Sequence, residues 1–190
     1  DLISGFVGAT KKGFFILRIT PETTKYNSSP IFLDVFDREL NPVKSLLIKE
    51  CSINRKEKIG KKKKVFEFIV QDGDQNIWLF YSELTERFTQ LYKRKLLTEN
   101  LAFDDPILVT EHIIDEEVER RRTYNIVVSE NKEHYAVYSF PSRSKKPTTV
   151  MGYVGLMNNN LEIIKEMNTE VKDFDVGYES FLNMKVTNFP

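Results

Sequence analysis

The feature that most limits what this chain can fold into is a repeat. Residues 66–80, FEFIVQDGDQNIWLF, lie without a gap over residues 124–138, YNIVVSENKEHYAVY, at an offset of 58. Both segments read as an apolar strand, a polar turn and an apolar-aromatic strand. Residues 3–17, ISGFVGATKKGFFIL, align with the later copy at an offset of 121, and residues 182–188, LNMKVTN, follow that copy by another 58. A second marker keeps the same period. Phe36 and Leu40, Leu97 and Leu101, and Met157 and Leu161 each bracket three polar residues, at spacings of 61 and then 60, which also sum to 121. Two dissimilar markers sharing one offset predict a stack of similar small units, each leaning on its neighbours to bury its apolar face.

The residues available decide what such a unit is made of. Val and Ile together number 30, Phe, Tyr and Trp add 23, and there are only three alanines, Ala9, Ala102 and Ala136. Branched and aromatic side chains fit a pleated surface and lose rotamer freedom in a helix. The pattern predicts strands at 2–7, 14–19, 31–36 and 43–48, then 65–71, 77–82, 89–97 and 107–114, then 123–129, 135–140, 149–157 and 162–167. Residues 181–187 would open a fourth unit. Residues 85–95 and 115–122 have helix-like charge patterns but no apolar stripe at helical spacing.

Four antiparallel strands in about 60 residues resembles a β-propeller blade. The turns at Gln71-Asp-Gly-Asp-Gln75 and Ser129-Glu-Asn-Lys-Glu133 look like the strand–turn–strand opening of bacterial repeat propellers. The resemblance implies one β-propeller-like repeat region over 1–190, with blades at about 2–50, 65–114 and 123–168 and the start of a fourth at about 181–187. Propellers close with about four to eight blades, so further blades, of this or another chain, are expected to complete it. The signatures of better-known propellers are missing: the one tryptophan sits in Ile77-Trp78-Leu79, with no Trp-Asp dipeptide, and no Gly-Gly pair marks a kelch blade. An antiparallel β-sandwich is the alternative.

Charge and cysteine content narrow the function. Lys and Arg total 28, as do Asp and Glu, so the net charge is zero. A polybasic nucleic-acid binder needs a cationic excess, and nucleic acid is not expected as a partner. A single cysteine, Cys51, excludes a disulfide framework and Cys-based zinc modules. No run of 18 apolar residues is present to span a membrane as a helix. The pattern of bacterial repeat propellers suggests export, periplasmic or extracellular.

No cofactor, catalytic set or metal site is predicted. Asp72, Asp74, Asn76 and Glu83 mimic a calcium loop, but its sixth position must be glycine and is Ile77 here; an Asp-Gly hairpin turn is the simpler reading. His112 and His134 are too few for zinc. There is no Gly-x-Ser-x-Gly elbow and no phosphate-binding glycine loop; Gly152 and Gly155 are too close together and lie in a strand.

The most distinctive local features are two basic runs, Lys61, Lys62, Lys63 and Lys64, and Arg120, Arg121 and Arg122, the latter preceded by acidic residues at 115–119. Each enters an equivalent predicted strand. They are the candidate binding residues, as a rim on one loop face that meets a protein or a charged glycan; a solvated loop is the plainer reading. The leading function is therefore a non-enzymatic binding or scaffold module. The alternative is part of a propeller hydrolase or lyase acting on polysaccharide or peptide, with Glu67, Asp72, Glu111 and Glu130 as the first acids to test.

Overall fold

A computed structural model describes residues 2–20, 29–49, 51, 63–85, 87–113, 121–142 and 149–172. The described residues form thirteen strands and no helix. The chain divides into two compact units, residues 1–85 with 90–110, and residues 86–89 with 111–190.

The first sheet runs in chain order from β1 (Leu2–Thr10) through β2 (Gly13–Ile19) and β3 (Ile31–Phe36) to β4 (Pro42–Leu47). The second contains β5 (Lys63–Gln71), β6 (Ile77–Leu84), β7 (Phe88–Leu97) and the two-residue β8 (Ala102–Phe103), with β9 (Ile107–Ile113) also paired to β7. The third runs from β10 (Arg121–Val128) through β11 (Tyr135–Ser142) and β12 (Thr149–Met157) to β13 (Ile163–Lys172). Neighbouring strands pair antiparallel throughout the first and third sheets, as do β5 with β6 and β7 with β8 in the second. The fold is all-β. Residues 88–95, which have a helix-like charge pattern, are strand: alternate positions Thr89, Leu91 and Lys93 are buried, a period-two pattern that only a strand satisfies. Residues 115–119 and 181–187 lie outside the described residues.

The second sheet departs from four strands because its last strand is broken. Pro106 follows Asp105 and has no N–H to give a ladder. Before it, the Asp104 carboxylate accepts the backbone N–H of Lys95 at 2.6 Å, and Asp104 N–H donates to the Lys95 carbonyl at 2.9 Å. Arg94 donates to the carbonyls of Phe103 and Asp104. A side chain thus takes over the pairing where the strand is interrupted.

Within the first compact unit the two sheets share one core. Phe15, Ile31, Leu33 and Val35 of the first meet Phe66, Ile77, Leu79, Tyr81 and Leu96 of the second. Gln71 ties them at the edge: its amide donates to the Ala9 carbonyl at 2.5 Å, and its side-chain oxygen accepts Ala9 N–H at 3.4 Å. The second unit has its own buried set, Tyr124, Tyr135, Val137, Tyr153, Met157 and Leu161.

The sheets coincide in register. Ile3 faces Arg18, Phe66 faces Tyr81 and Tyr124 faces Ser139, the positions that the offsets of 63 and 58 superimpose. The first two sheets bulge immediately afterwards, at Ser4 and Glu67, which are also 63 apart. The third does not bulge there; instead its turn, closed by Ser129 N–H to the His134 carbonyl, is one residue longer than the turn closed by Asp72 N–H to the Asn76 carbonyl. The gapless offset of 58 therefore hides two one-residue differences that cancel. Phe68, not Glu67, stands where Asn125 does, opposite Phe80 and Tyr138 respectively.

The second marker is a backbone device. Leu40, Leu101 and Leu161 all have left-handed φ, at 65°, 54° and 58°. In two copies an Asx residue holds the turn: Asp37 Oδ1 accepts the N–H of Glu39 and Asn41, and Asn158 Oδ1 accepts that of Asn160 and Glu162. This is a three-residue hairpin loop with its last residue in the left-handed region, and it holds leucine where glycine would be free of strain.

Candidate functional site

The basic runs divide between described and undescribed residues. Lys61, Lys62 and Arg120 lie outside the described residues; Lys63 and Arg121 are described as backbone, opening β5 and β10. Lys64 and Arg122 are described in full, and they are register equivalents: Lys64 pairs with Glu83 and Arg122 with Pro141, each 58 apart. Neither cation projects freely. Lys64 Nζ lies 3.4 Å from Glu83 Oε1 and 5.1 Å from the Tyr81 ring centre. Arg122 is only 5% exposed, donating to the Met151 carbonyl at 3.0 Å and to Ser139 Oγ at 3.5 Å. A guanidinium is tolerated at that depth because its fan of donors meets oxygens already inside the sheet. The two runs enter their sheets at the same register but with different partners, and the last cation of each run bonds within its sheet.

Of the calcium-like acids, Asp72 is occupied by N–H donors. Asp72, buried in the turn, accepts Asn76 N–H at 2.8 Å and the Asn76 amide at 2.9 Å, and takes the Trp78 indole N–H at 2.7 Å. Asp74 is exposed in the turn, and Glu83 is buried on β6 beside Lys64. Among the described residues no group of three His, Cys, Asp or Glu could hold a metal ion. Of the other acids, Glu67 is the bulge residue and accepts Ser82 Oγ–H at 2.5 Å, while Glu111 and Glu130 are exposed.

Two cation–aromatic clusters escape a reading by motif. Lys93, buried, sits 4.7 Å from the Trp78 ring centre, and Lys95 lies 6.0 Å away. The indole thus gives its N–H to Asp72 and its face to two ammonium groups. Tyr81 stacks on Tyr92 at 5.5 Å, and burial, with the nearby Glu83 charge, pushes its hydroxyl up to about 12. A period-two pattern signals where these residues are, but not that lysines fold over their neighbours' rings.

In the second compact unit His112 lies edge-on to Tyr153 at 4.4 Å and near Tyr124 at 6.1 Å. Tyr153 donates to Glu166 at 3.2 Å. Burial, and secondarily the charge of Arg122, lowers the His112 pKa to about 4, so the imidazole is neutral at ordinary pH. His134 holds a turn, its N–H donating to Ser129 Oγ at 3.0 Å. Cys51 is buried against the first unit's core.

No family model, curated protein or solved structure matches the chain.

Proposed function

We propose that the chain is a binding or scaffold module without catalysis of its own, made of blade-like sheets of the β-propeller kind, that holds a protein or glycan partner on the loop face from which its basic runs enter the sheets. One observation carries the reading: Lys64 and Arg122 stand at equivalent register in separate sheets, and Lys63 and Arg121 before them open the equivalent strands β5 and β10. The shared bulge of the first two sheets and the three left-handed leucines support the repeat on which it rests. In this reading further blades, from this or another chain, extend the array.

Polyanion binding tests it. The chain should retain a sulfated glycan or an acidic peptide at low ionic strength and release it as salt rises, since salt screens the attraction between a cationic cluster and a polyanion. Charge reversal of Lys61, Lys62 and Lys63 should abolish retention while leaving the melting temperature nearly unchanged. Salt-independent retention, or none, would overturn the reading; release of products from polysaccharide or peptide substrates would favour a propeller hydrolase or lyase.

A further inference from the structure

β4 ends the first sheet, and among the described residues it is paired on one side only, to β3. Every residue of Pro42–Leu47 is exposed except half-buried Leu46. An uncovered edge offers unpaired N–H and C=O groups to any strand that fits it, and outer strands are commonly guarded by charge. The outer strand of the third sheet, β13, follows that habit with exposed Lys165, Glu166 and Glu170. β4 has a single charge, Lys44, between two exposed apolar side chains, Val43 at 59% and Leu47 at 38%.

One bond fixes which backbone groups point outward. Ile48 N–H donates to the Ile31 carbonyl at 2.9 Å, so Ile48 turns its polar groups to β3. Alternation along an antiparallel strand turns those of Leu46 and Lys44 the same way. Ser45 and Leu47 stand between them in sequence and turn theirs outward. At the other end Pro42, which has no N–H, and the bulge at Val43 stop the regular edge. The edge on offer runs from Val43 to Leu47.

Its sequence says what fits. Two identical strands paired antiparallel about a two-fold axis set residues at equal distances from the axis against each other. Centred on Lys44, the pairing opposes two ammonium groups. Centred on Leu46, it sets Val43 against Lys49. Centred on Ser45, each Val43 meets the second copy's Leu47, so the exposed apolar side chains cover one another. Ser45 then meets itself, a small residue whose hydroxyl is already given to Asp34 at 2.5 Å.

We propose that two copies of this chain join edge to edge, β4 against β4 in antiparallel register about Ser45, so that the two first sheets become one continuous sheet. The contact uses the same edge on both copies and therefore closes at the dimer. It stands on the first sheet alone and needs neither the polyanion binding nor the further blades proposed above.

The test is sedimentation velocity over roughly two decades of concentration, because association by mass action depends on it. The intact chain should pass from monomer to dimer and stop there. Val43→Glu and Leu47→Lys change exposed side chains, so each variant should keep its melting temperature. Alone, each should dimerise about tenfold more weakly, since two cross-strand pairs are spoiled. Mixed in equal amounts, they should recover the dimer, because Glu then faces Lys at one end and Leu faces Val at the other. Amide hydrogen exchange on the unaltered chain checks the backbone: Ser45 and Leu47 should exchange fast when dilute and slowly when concentrated, while Leu46 and Ile48 stay protected in both. A chain that remains monomeric would overturn the proposal, as would growth beyond a dimer, variants that associate as tightly as the intact chain, a mixture no tighter than either variant alone, or Ser45 and Leu47 amides that exchange alike at both concentrations.

Discussion

The Asp72 carboxylate takes the indole N–H of Trp78 at 2.7 Å, across the turn that joins β5 to β6. The same carboxylate closes that turn through Asn76. One buried acid therefore fixes both the hairpin and the ring on which Lys93 and Lys95 lie. Replacing Asp72 by alanine leaves three donors to find new partners, and a buried unsatisfied donor costs about 1–3 kcal/mol. We expect Asp72→Ala to destabilise by about 3 kcal/mol in chemical denaturation and to shift the emission of the single tryptophan to the red. Added calcium should not raise the melting temperature of the unaltered protein.

The left-handed leucines should respond to glycine in opposite ways. The left-handed backbone costs a non-glycine residue about 1–2 kcal/mol, and glycine relieves that at some cost in entropy. Leu40 is 67% exposed, so Leu40→Gly should be neutral or stabilising by up to about 1 kcal/mol. Leu161 is buried, and Leu161→Gly should lose about 2–4 kcal/mol despite the relieved backbone. Thermal unfolding of the two variants side by side checks the difference in sign.

Lys64 and Arg122 occupy equivalent corners at different depths. Lys64→Ala breaks a half-exposed ion pair and should cost no more than about 1 kcal/mol. Arg122→Ala removes a buried guanidinium from the Met151 carbonyl and Ser139, and should cost about 2–3 kcal/mol. Equal losses in urea denaturation would show that register equivalence fixes the energy as well as the position.

His112 makes stability depend on pH. Its folded pKa is about 4, below the ordinary histidine value of 6.5, so the unfolded chain binds the proton more readily. Its contribution is therefore complete above about pH 6.5 and is lost as pH falls toward 4. Asp34, held low chiefly by its hydrogen bond from Arg18, loses its own contribution only at more acid pH. Unfolding measured from pH 7 to 4.5 should show a decline that His112→Gln flattens.

Much of the strand order was legible from the chain. The predicted spans 31–36 and 149–157 coincide with β3 and β12, because alternating branched residues bounded by polar turns permit few other readings. The spacing of Phe36 with Leu40 and of Met157 with Leu161 located two turns but not their left-handed leucines, since leucine is not a residue the left-handed region favours. The break at Asp105-Pro106 was missed because it depends on Asp104 bonding a strand that lies nine residues back. The exposed rim fails for Arg122, which is buried. A charge run announces solvent, and nothing local signals that its last member turns inward to a carbonyl on β12. Likewise the gapless offset concealed a bulge and a turn insertion, because two cancelling shifts leave no gap.

The account stands on three sheets in one register, and cross-strand proton contacts measured by NMR test that most directly. Backbone contacts are expected between Ile3 and Arg18, Phe66 and Tyr81, and Tyr124 and Ser139, with Phe68 then facing Phe80 while Asn125 faces Tyr138. Contacts that place Tyr124 opposite Tyr138 or Phe140, or Phe66 opposite Phe80, would put the sheets out of register and contradict it.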